Sequence, residues 1–249
     1  MERIERKRMP DVAVQFLLKS PTVTVRDVYC QGRCRDKSAE ECTAATELVF
    51  PYRGVYVRHL GSDQEVAEAN QVLFFNASEG YRVSHPVSGG DACLSLAISE
   101  PLLRELTPLT LTRDSAMFAF RPQRLRIDAR AQALVALLRH SLRQKIAEPL
   151  EAESLALTLV RRALGPRTSH AAGASVGRQR LVDRAKLVLA SDLARRWTLA
   201  ESPPKCAAPL FISPRSSNKW KDCPSIAITC ACGWRGRWIF FHSMTISLL

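Results

Sequence analysis

Hydrophobic and polar positions alternate with a period of two, in short segments, between about residue 20 and residue 100. In residues 22–30, for example, Val23, Val25 and Asp27 alternate with Thr22, Thr24 and Arg26. Turn residues separate further segments of this kind, at residues 47–59, 71–76, 81–87 and 93–99. Many short strands at this spacing are typical of an antiparallel barrel or sandwich. The pattern predicts a barrel over residues 20–100, after an N-terminal segment 1–19, with a hairpin turn at residues 89–91.

After residue 100 the apolar positions recur with a helical period. Residues 127–143 and 151–164 each place leucine and alanine side chains on one face, which predicts two antiparallel helices within a helical region 101–165. Such a pair is a common dimerisation element, and it also serves as a plain cover for the open end of a barrel. The pattern does not separate these two interpretations.

A second, smaller region is predicted beyond a linker. Residues 166–177 are small and polar with glycine and proline, a composition typical of linkers. Residues 178–201 then begin a helical pattern, with an apolar stripe at Val182, Ala185 and Leu189. Residues 198–201 fit a capping box that opens another helix. A helix, a break and a freshly capped helix are how a helix-turn-helix unit begins.

The charge of the chain is divided between its two halves. The formal net charge of +12 consists of −2 over residues 1–120 (14 Lys/Arg against 16 Asp/Glu) and +14 over residues 121–249 (22 against 8). A neutral first half and a basic second half favour a sensing module joined to a module that binds a polyanion. A solvated basic surface without a partner gives the same count.

No stretch approaches the roughly 18 uninterrupted apolar residues of a membrane span, and the N-terminal apolar run is too short and too interrupted for a secretory signal. We therefore expect a cytoplasmic protein without a membrane partner. In that compartment its eight cysteines are thiols or metal ligands rather than disulfides.

Three stretches together resemble one family. TELVFPYRGVYVRH (46–59) and LFFNASEGYRVSHPVSGGD (73–91) resemble the sensor region of AraC/XylS-type transcription regulators, and RLVDRAKLVLASDLARRWTLAE (180–201) resembles the start of their DNA-binding domain. The resemblance implies an α+β protein: a cupin-like antiparallel β-barrel followed by helices, and then an all-α helix-turn-helix domain. It also implies a homodimer that senses a small-molecule effector and binds promoter or operator DNA, without a cofactor and without enzymatic activity.

Six basic side chains of the second region are candidates for contacts to DNA phosphates, which set register without reading sequence. They are Arg178, Arg180, Arg184, Lys186, Arg195 and Arg196. A solvated helix face explains them equally well. The first helix of such a unit does not enter the major groove, so sequence readout depends on segments after residue 201.

The family pattern stops at Glu201. Residues 202–249 form an irregular tail with three prolines in residues 203–210, no helical period and four of the cysteines. Read one nucleotide out of phase, codon pairs across this tail permit Ile-Ala directly after Glu201 and an amphipathic basic helix over residues 229–239. Some positions are forced in that frame: Trp220–Lys221 gives Glu, and Trp238–Ile239 gives Asp. The sequence therefore predicts a frameshift after Glu201 and a chain without a working recognition helix.

The cysteines offer weak candidates for a metal site. The spacing of Cys206, Cys223, Cys230 and Cys232 lacks the paired knuckles of a zinc ribbon. Cys30, Cys34 and Cys42 form a better cluster, on a strand end and the following loop, either as a thiolate site or as incidental thiols.

A polar group near two predicted strand ends is the candidate effector pocket. It offers imidazole, carboxylate, phenol and guanidinium groups that suit a polar ligand: His59, Glu79, Tyr81, Arg82 and His85. A buried hydrogen-bonded cluster is the alternative for these residues. No H-x-H pair of the kind found in metal-dependent cupin enzymes is present. Two other functions stay open: a metal-dependent or small-molecule-binding cupin protein, and a dimerising fragment without DNA binding.

Overall fold

The computed structural model describes residues 12–33, 35–115, 117–165 and 176–192, together with 226–227 and 245–246. The chain divides into two compact units, residues 1–166 and 167–249. The first unit contains nine strands and three α-helices in its described part. They are β1 Val12–Lys19, β2 Val23–Cys30, β3 Glu47–Arg53, β4 Tyr56–Leu60, β5 Asp63–Ala67, β6 Gln71–Phe75, β7 Arg82–Ser84, β8 Asp91–Ile98, α1 Glu100–Leu106, β9 Arg124–Arg126, α2 Ala129–Arg143 and α3 Pro149–Leu164.

The strands of this unit form two antiparallel sheets. One has six strands in the order β1-β2-β8-β3-β6-β9, and the other has three in the order β5-β4-β7. The two sheets pack against each other through apolar side chains from both, among them Val49, Leu73 and Phe75 of the large sheet and Tyr56 and Ala67 of the small one. Side chains alternate between the faces of each strand, so every second residue of β2, β3 and β8 faces the small sheet.

The opposite face of the six-stranded sheet is covered by helices. Its apolar residues form one cluster with the buried positions of α2, Ala131, Val135 and Leu138, and with buried residues of α3. α2 begins at an N-cap, Asp128, whose carboxylate accepts a hydrogen bond from the amide of Ala131 at 2.9 Å. The helices therefore cover a sheet face, and not the end of a barrel as one interpretation of the sequence had it.

The structure confirms the predicted α+β class, in which antiparallel strands precede the helices. Three details differ from the expectation. Among the described strands there are two packed sheets and no closed barrel. The predicted N-terminal segment 1–19 contains β1, which pairs with β2. The turn at residues 89–91 is not a hairpin, because β7 and β8 on either side of it belong to different sheets.

The second unit is described in part. It contains α4, Val176–Ser191, and a two-residue antiparallel pairing of β10 Ile226–Ala227 with β11 Thr245–Ile246. The helix matches the one predicted after the linker. The rest of the tail 202–249, the linker residues 166–175 and the break before residue 198 lie outside the described residues. No helix within the described ranges combines the length and the hydropathy that crossing a membrane requires.

Candidate functional site

The space between the two sheets is lined partly by polar side chains. On the inner face of the large sheet, Arg26 of β2 forms an ion pair with Glu47 of β3. Glu47 also accepts a hydrogen bond from the hydroxyl of Ser95 on β8, at 2.6 Å between oxygens. Buried polar groups are tolerated when they satisfy one another. The charges of this trio are therefore paired, although Nε of Arg26 is buried without a hydrogen-bond partner in the described part of the chain.

A second polar group closes one end of this space. Cys30 is the last residue of β2 and lies opposite Asp91, the first residue of β8. His85 follows β7, and its Nε2 lies 2.6 Å from Oδ2 of Asp91. One ligand atom from each of Cys30, His85 and Asp91 lies within 4.8 Å of the others. The three residues are only 8%, 4% and 5% exposed, so they form a buried cluster, here called the Cys-His-Asp cluster.

Two glycines allow the backbone to close around this cluster. Gly90 has φ +67°, and a Cβ there would lie 2.2 Å from the carbonyl oxygen of Cys30. Gly54 has φ +73°, and a Cβ there would lie 2.1 Å from the carbonyl oxygen of Gly90. Only glycine fits a left-handed backbone in such close contact. The loop before β8 and the β3–β4 turn are thus held tightly against the end of β2.

The electrostatics of the Cys-His-Asp cluster favour a positive charge at its centre. Hydrogen bonds to Asp91 and then to Cys30 raise the pKa of His85 to about 11, against the opposing effect of burial. Nearby, burial raises the pKa of the Cys93 thiol, which stays neutral. The backbone N–H of Gly32 donates to the sulfur of Cys30 at 3.4 Å. A thiol, an imidazole and a carboxylate are also a donor set for a divalent metal ion.

Arg58 is a buried cation that the sequence analysis did not single out. Its guanidinium donates hydrogen bonds to the carbonyl oxygens of Phe74, at 2.5 Å, and Gln123, at 2.9 Å, and lies over the ring of Phe75. Burial lowers its pKa from the ordinary value. No ion pair between Arg58 and a carboxylate occurs in the described part of the chain. Because its two terminal nitrogens donate to backbone carbonyls of β6 and of the residue before β9, Arg58 links the two sheets; its Nε is buried without a hydrogen-bond partner among the described residues.

On the helix side of the large sheet, Asp27 of β2 is fully buried and holds a separate cluster. The hydroxyls of Tyr52 and Tyr29 donate to its carboxylate at 2.5 and 2.9 Å. Arg139 and Arg143 of α2 approach the same carboxylate at 3.0 and 3.6 Å. Burial and the hydrogen bond to Asp27 raise the pKa of Tyr52. β2 thus carries Cys30 on one face and a contact to α2 on the other.

The predicted effector residues do not share one face. Tyr81 and His85 lie on the inner side of the small sheet, where Tyr81 packs edge-to-face on Phe75 at 4.7 Å between ring centroids. His59 and Arg82 pair across β4 and β7 on the opposite side, where His59 Nε2 lies 2.8 Å from the hydroxyl of Ser84.

Glu79, the fifth predicted effector residue, is bound elsewhere. It accepts hydrogen bonds from Asn76 at 2.9 Å and Arg113 at 3.0 Å. Arg82 lies 3.6 Å from Glu40 across an exposed ion pair. The fold therefore does not bring all five predicted residues into a single pocket.

The cysteine cluster predicted from the sequence is also rearranged. Cys30 is buried and Cys42 is exposed, while Cys34 lies outside the described residues. The metal-competent group found within the described ranges joins Cys30 to His85 and Asp91 instead. Sequence spacing missed this group because Cys30 is distant along the chain from His85 and Asp91, which flank a single loop. The sequence signal that could have revealed the group is that each of its residues stands at or next to the end of a strand.

The predicted phosphate contacts are only partly described. Arg180 and Arg184 are exposed on α4, and Lys186 is half-buried with its amine 3.8 Å from the carboxylate of Asp183. The side chains of Arg178, Arg195 and Arg196 lie outside the described residues. α4 thus presents two exposed guanidinium groups one helical turn apart.

Comparisons with known proteins give a likeness of fold only. No protein-family model matches the chain, and no curated protein matches it. Among solved structures, a cupin superfamily protein from Desulfitobacterium hafniense is 16% identical over 35% of this chain and 76% of its own, with a TM-score of 0.30. A cupin-2 domain protein from Shewanella frigidimarina is 7% identical over 34% and 79%, with a TM-score of 0.30.

The DMSP lyase of Ruegeria pomeroyi is 14% identical over 39% of this chain and 52% of its own, with a TM-score of 0.33. At this level of similarity the activities of these proteins do not transfer to this chain.

Proposed function

We propose that this chain is a transcription regulator of the AraC type, or the remnant of one, in which the first unit senses a small molecule and the second binds DNA. The observation that carries the proposal is α4. This basic helix stands in a separate unit of the chain, at the position where the sequence resembles the first helix of a helix-turn-helix domain.

The first unit supports a sensing role through its layout. A polar interior lies between the two sheets, and β2 connects it to α2 through Asp27. A ligand that bound one arrangement of these elements more tightly would shift the population toward it. On this proposal the protein is a binding protein and not an enzyme.

A homodimer formed through the helices is part of the same proposal. α2 and α3 leave a groove on their outer side that is lined by apolar and basic residues, including Leu134, Leu137 and Arg161. Leu137 is 48% exposed there. Single exposed apolar residues are ordinary on protein surfaces, so the groove supports a dimer only in combination with the resemblance.

Selection of genomic DNA fragments tests the regulator proposal directly. The chain as it stands should retain fragments weakly and without sequence preference, with an affinity that falls steeply as salt rises, because phosphate contacts alone remain. A matched version, made by inserting one base after the Glu201 codon, should select a small set of fragments at the same salt concentration. Failure of the restored chain to select any sequence would contradict both the regulator and the frameshift.

A further inference from the structure

We propose that Cys30, His85 and Asp91 form a binding site for a thiophilic divalent cation, with Zn²⁺ as the principal occupant. The juxtaposition is specific: the thiol at the end of β2 meets an imidazole and a carboxylate from the two ends of the loop between β7 and β8, each with a ligand atom within 4.8 Å of the other two. This inference concerns the first unit alone and does not depend on DNA binding.

The distances are compatible with coordination. Zn²⁺ binds sulfur at about 2.3 Å and nitrogen or oxygen at about 2.0–2.2 Å, so its ligand atoms stand about 3.3–3.8 Å apart in a tetrahedron. The present spread of up to 4.8 Å must shrink slightly, and the 2.6 Å contact between His85 and Asp91 must widen. Rotations of the three side chains about their χ angles are the movements that both changes require.

Charge balance favours a divalent ion here. A thiolate and a carboxylate together carry two negative charges, which a divalent cation neutralises while the imidazole is neutral. Buried charges are costly unless they are paired or bind a metal. The neighbouring Arg26–Glu47 pair is already neutral and adds no competing charge. With three protein ligands, the fourth position remains for water or a small exogenous donor, as in open zinc sites.

The surroundings hold the three ligands in place. Cys30 and Asp91 belong to paired strands, and the amide of Gly32 donates to the sulfur of Cys30, an outer-shell contact that supports a thiolate. The close contacts at Gly54 and Gly90 fix the loops on either side. Ligands on rigid elements with supporting contacts are the arrangement that metal sites require.

A nucleophilic triad is the other chemistry that these residue types perform. In such a triad the imidazole stands between the nucleophile and the acid, and the nucleophile is open to substrate. Here the imidazole of His85 also stands between the thiol of Cys30 and the carboxylate of Asp91, but all three side chains are less than a tenth exposed, so the thiol is not open to a substrate. The geometry therefore points to a cation held between them.

Cobalt titration of the purified full-length chain tests this site. The background protein carries serine at the four tail cysteines so that these thiols do not contribute: Cys206, Cys223, Cys230 and Cys232. We expect one Co²⁺ per chain, with a sulfur-to-cobalt charge-transfer band and visible bands typical of tetrahedral coordination, and displacement by Zn²⁺. Cys30→Ser should remove the charge-transfer band and weaken binding more than about 100-fold, since even outer-shell changes cost 10–100-fold.

Two variants and one further measurement make the result decisive. Asp91→Asn preserves shape and should also weaken binding strongly, whereas Cys42→Ser, which changes an exposed thiol, should bind like the background. If Cys30→Ser fails to fold, as judged by circular dichroism, X-ray absorption of the zinc-loaded background should show one sulfur ligand. The proposal is overturned if the background binds no stoichiometric metal, if binding survives Cys30→Ser, or if sulfur is absent from the ligand shell. Those outcomes would mean that the cluster is a hydrogen-bonded structural element.

Discussion

The side chain of Arg139 on α2 reaches the fully buried carboxylate of Asp27 on β2, with 3.0 Å between Nε and Oδ2. Its guanidinium also lies over the ring of Tyr52, with 4.2 Å to the ring centroid. α2 is therefore attached to the sheet at a polar point as well as through its apolar face. Asp27 precedes Cys30 by three residues on the same strand, so the attachment and the Cys-His-Asp cluster share one rigid element.

Removing the Asp27 carboxylate should destabilise the first unit considerably. Asp27→Ala leaves two partly buried tyrosine hydroxyls and an arginine without their common acceptor, and breaking a buried pair costs about 3–5 kcal/mol. Because Arg139 is partly exposed, we expect about 3 kcal/mol, at the lower end of this range. Chemical denaturation measures the difference. Asp114→Ala, which removes an exposed carboxylate, is the control and should change stability by less than about 0.5 kcal/mol. Equal effects of the two substitutions would refute the assigned role.

The close approach at Gly90 gives a second prediction. Gly90→Ala introduces both an unfavourable positive φ and an overlap with the Cys30 carbonyl, so we expect a loss of about 3 kcal/mol or more. Gly61→Ala is the matched control, because Gly61 has φ +54° and open space around its Cβ position. It should cost only about 1–2 kcal/mol, the price of the backbone conformation. Thermal unfolding of the two variants distinguishes the cost of the steric overlap from the cost of the positive φ. Similar losses of stability would show that the backbone moves to relieve the overlap.

The N-cap of α2 gives a third prediction. Asp128→Ala removes the hydrogen bond to the Ala131 amide and should cost about 1 kcal/mol. Asp128→Asn keeps a capping oxygen but loses the charge that faces Arg162 of α3. Since that ion pair is exposed, the asparagine variant should retain most of the stability. Urea denaturation distinguishes the two, and a large loss in Asp128→Asn would instead assign the stability to the ion pair.

A pH-dependent effect is expected at His59. Burial, and then the charge of Lys37, lower its pKa below the ordinary 6.5. A group whose folded-state pKa is depressed supplies stability above the unfolded pKa, and this is lost as pH falls below about 6.5. His59→Gln should therefore lose less stability than the wild type between pH 7.5 and 5.5. His140→Gln, at an exposed position, serves as the control, and the contribution of His85 cancels because it is present in all three proteins. Identical pH profiles for wild type and His59→Gln would contradict the prediction.

Limited proteolysis checks the predicted domain organisation. The sequence predicts that residues 20–165 fold alone, and the structure adds β1, residues 12–19, to the same unit, so a stable fragment that includes both should remain after cleavage within residues 166–177. The division of the chain into two units, between residues 166 and 167, falls at the start of that segment. Uniform degradation without an intermediate fragment would count against two independent units.

Most of the sheet could be predicted from sequence because half-buried strands alternate visibly. β2, β3, β6 and β7 fall within the predicted segments, and β8 begins two residues before the segment predicted at 93–99. β5 was missed because it begins with three polar residues after Gly61, which the pattern assigns to a turn. β1 was missed because its apolar residues do not alternate cleanly; it is an edge strand whose Val12, Val14 and Phe16 remain exposed. Edge strands follow the binary pattern less strictly because neither face must be fully buried.

The Cys-His-Asp cluster could not be predicted, because its geometry depends on which strands become neighbours. Periodicity predicts that Cys30 and His85 stand near strand ends, but it does not say that β2 pairs with β8 or that the small sheet covers that end. For the same reason, the sequence wrongly predicted that His59 shares a pocket with His85. One residue of register decides which face a side chain occupies, and Tyr81 and Arg82 accordingly point to opposite sides of the small sheet.

Cys30 and Asp91 face each other across the β2–β8 ladder although about 60 residues separate them along the chain. That pairing closes a loop that contains β3 to β7, and the entropy of closure must be overcome before the contacts form, which makes such long-range steps slow in folding. The cluster therefore does not exist in a chain that has made only its local strands and helices. An ion would bind there only after β2 and β8 have paired. It would therefore bind the folded chain and not the earlier folding intermediates. Amide hydrogen exchange in β2 and β8 should then slow together on occupancy, as it does when a crosslink joins two distant parts of a chain.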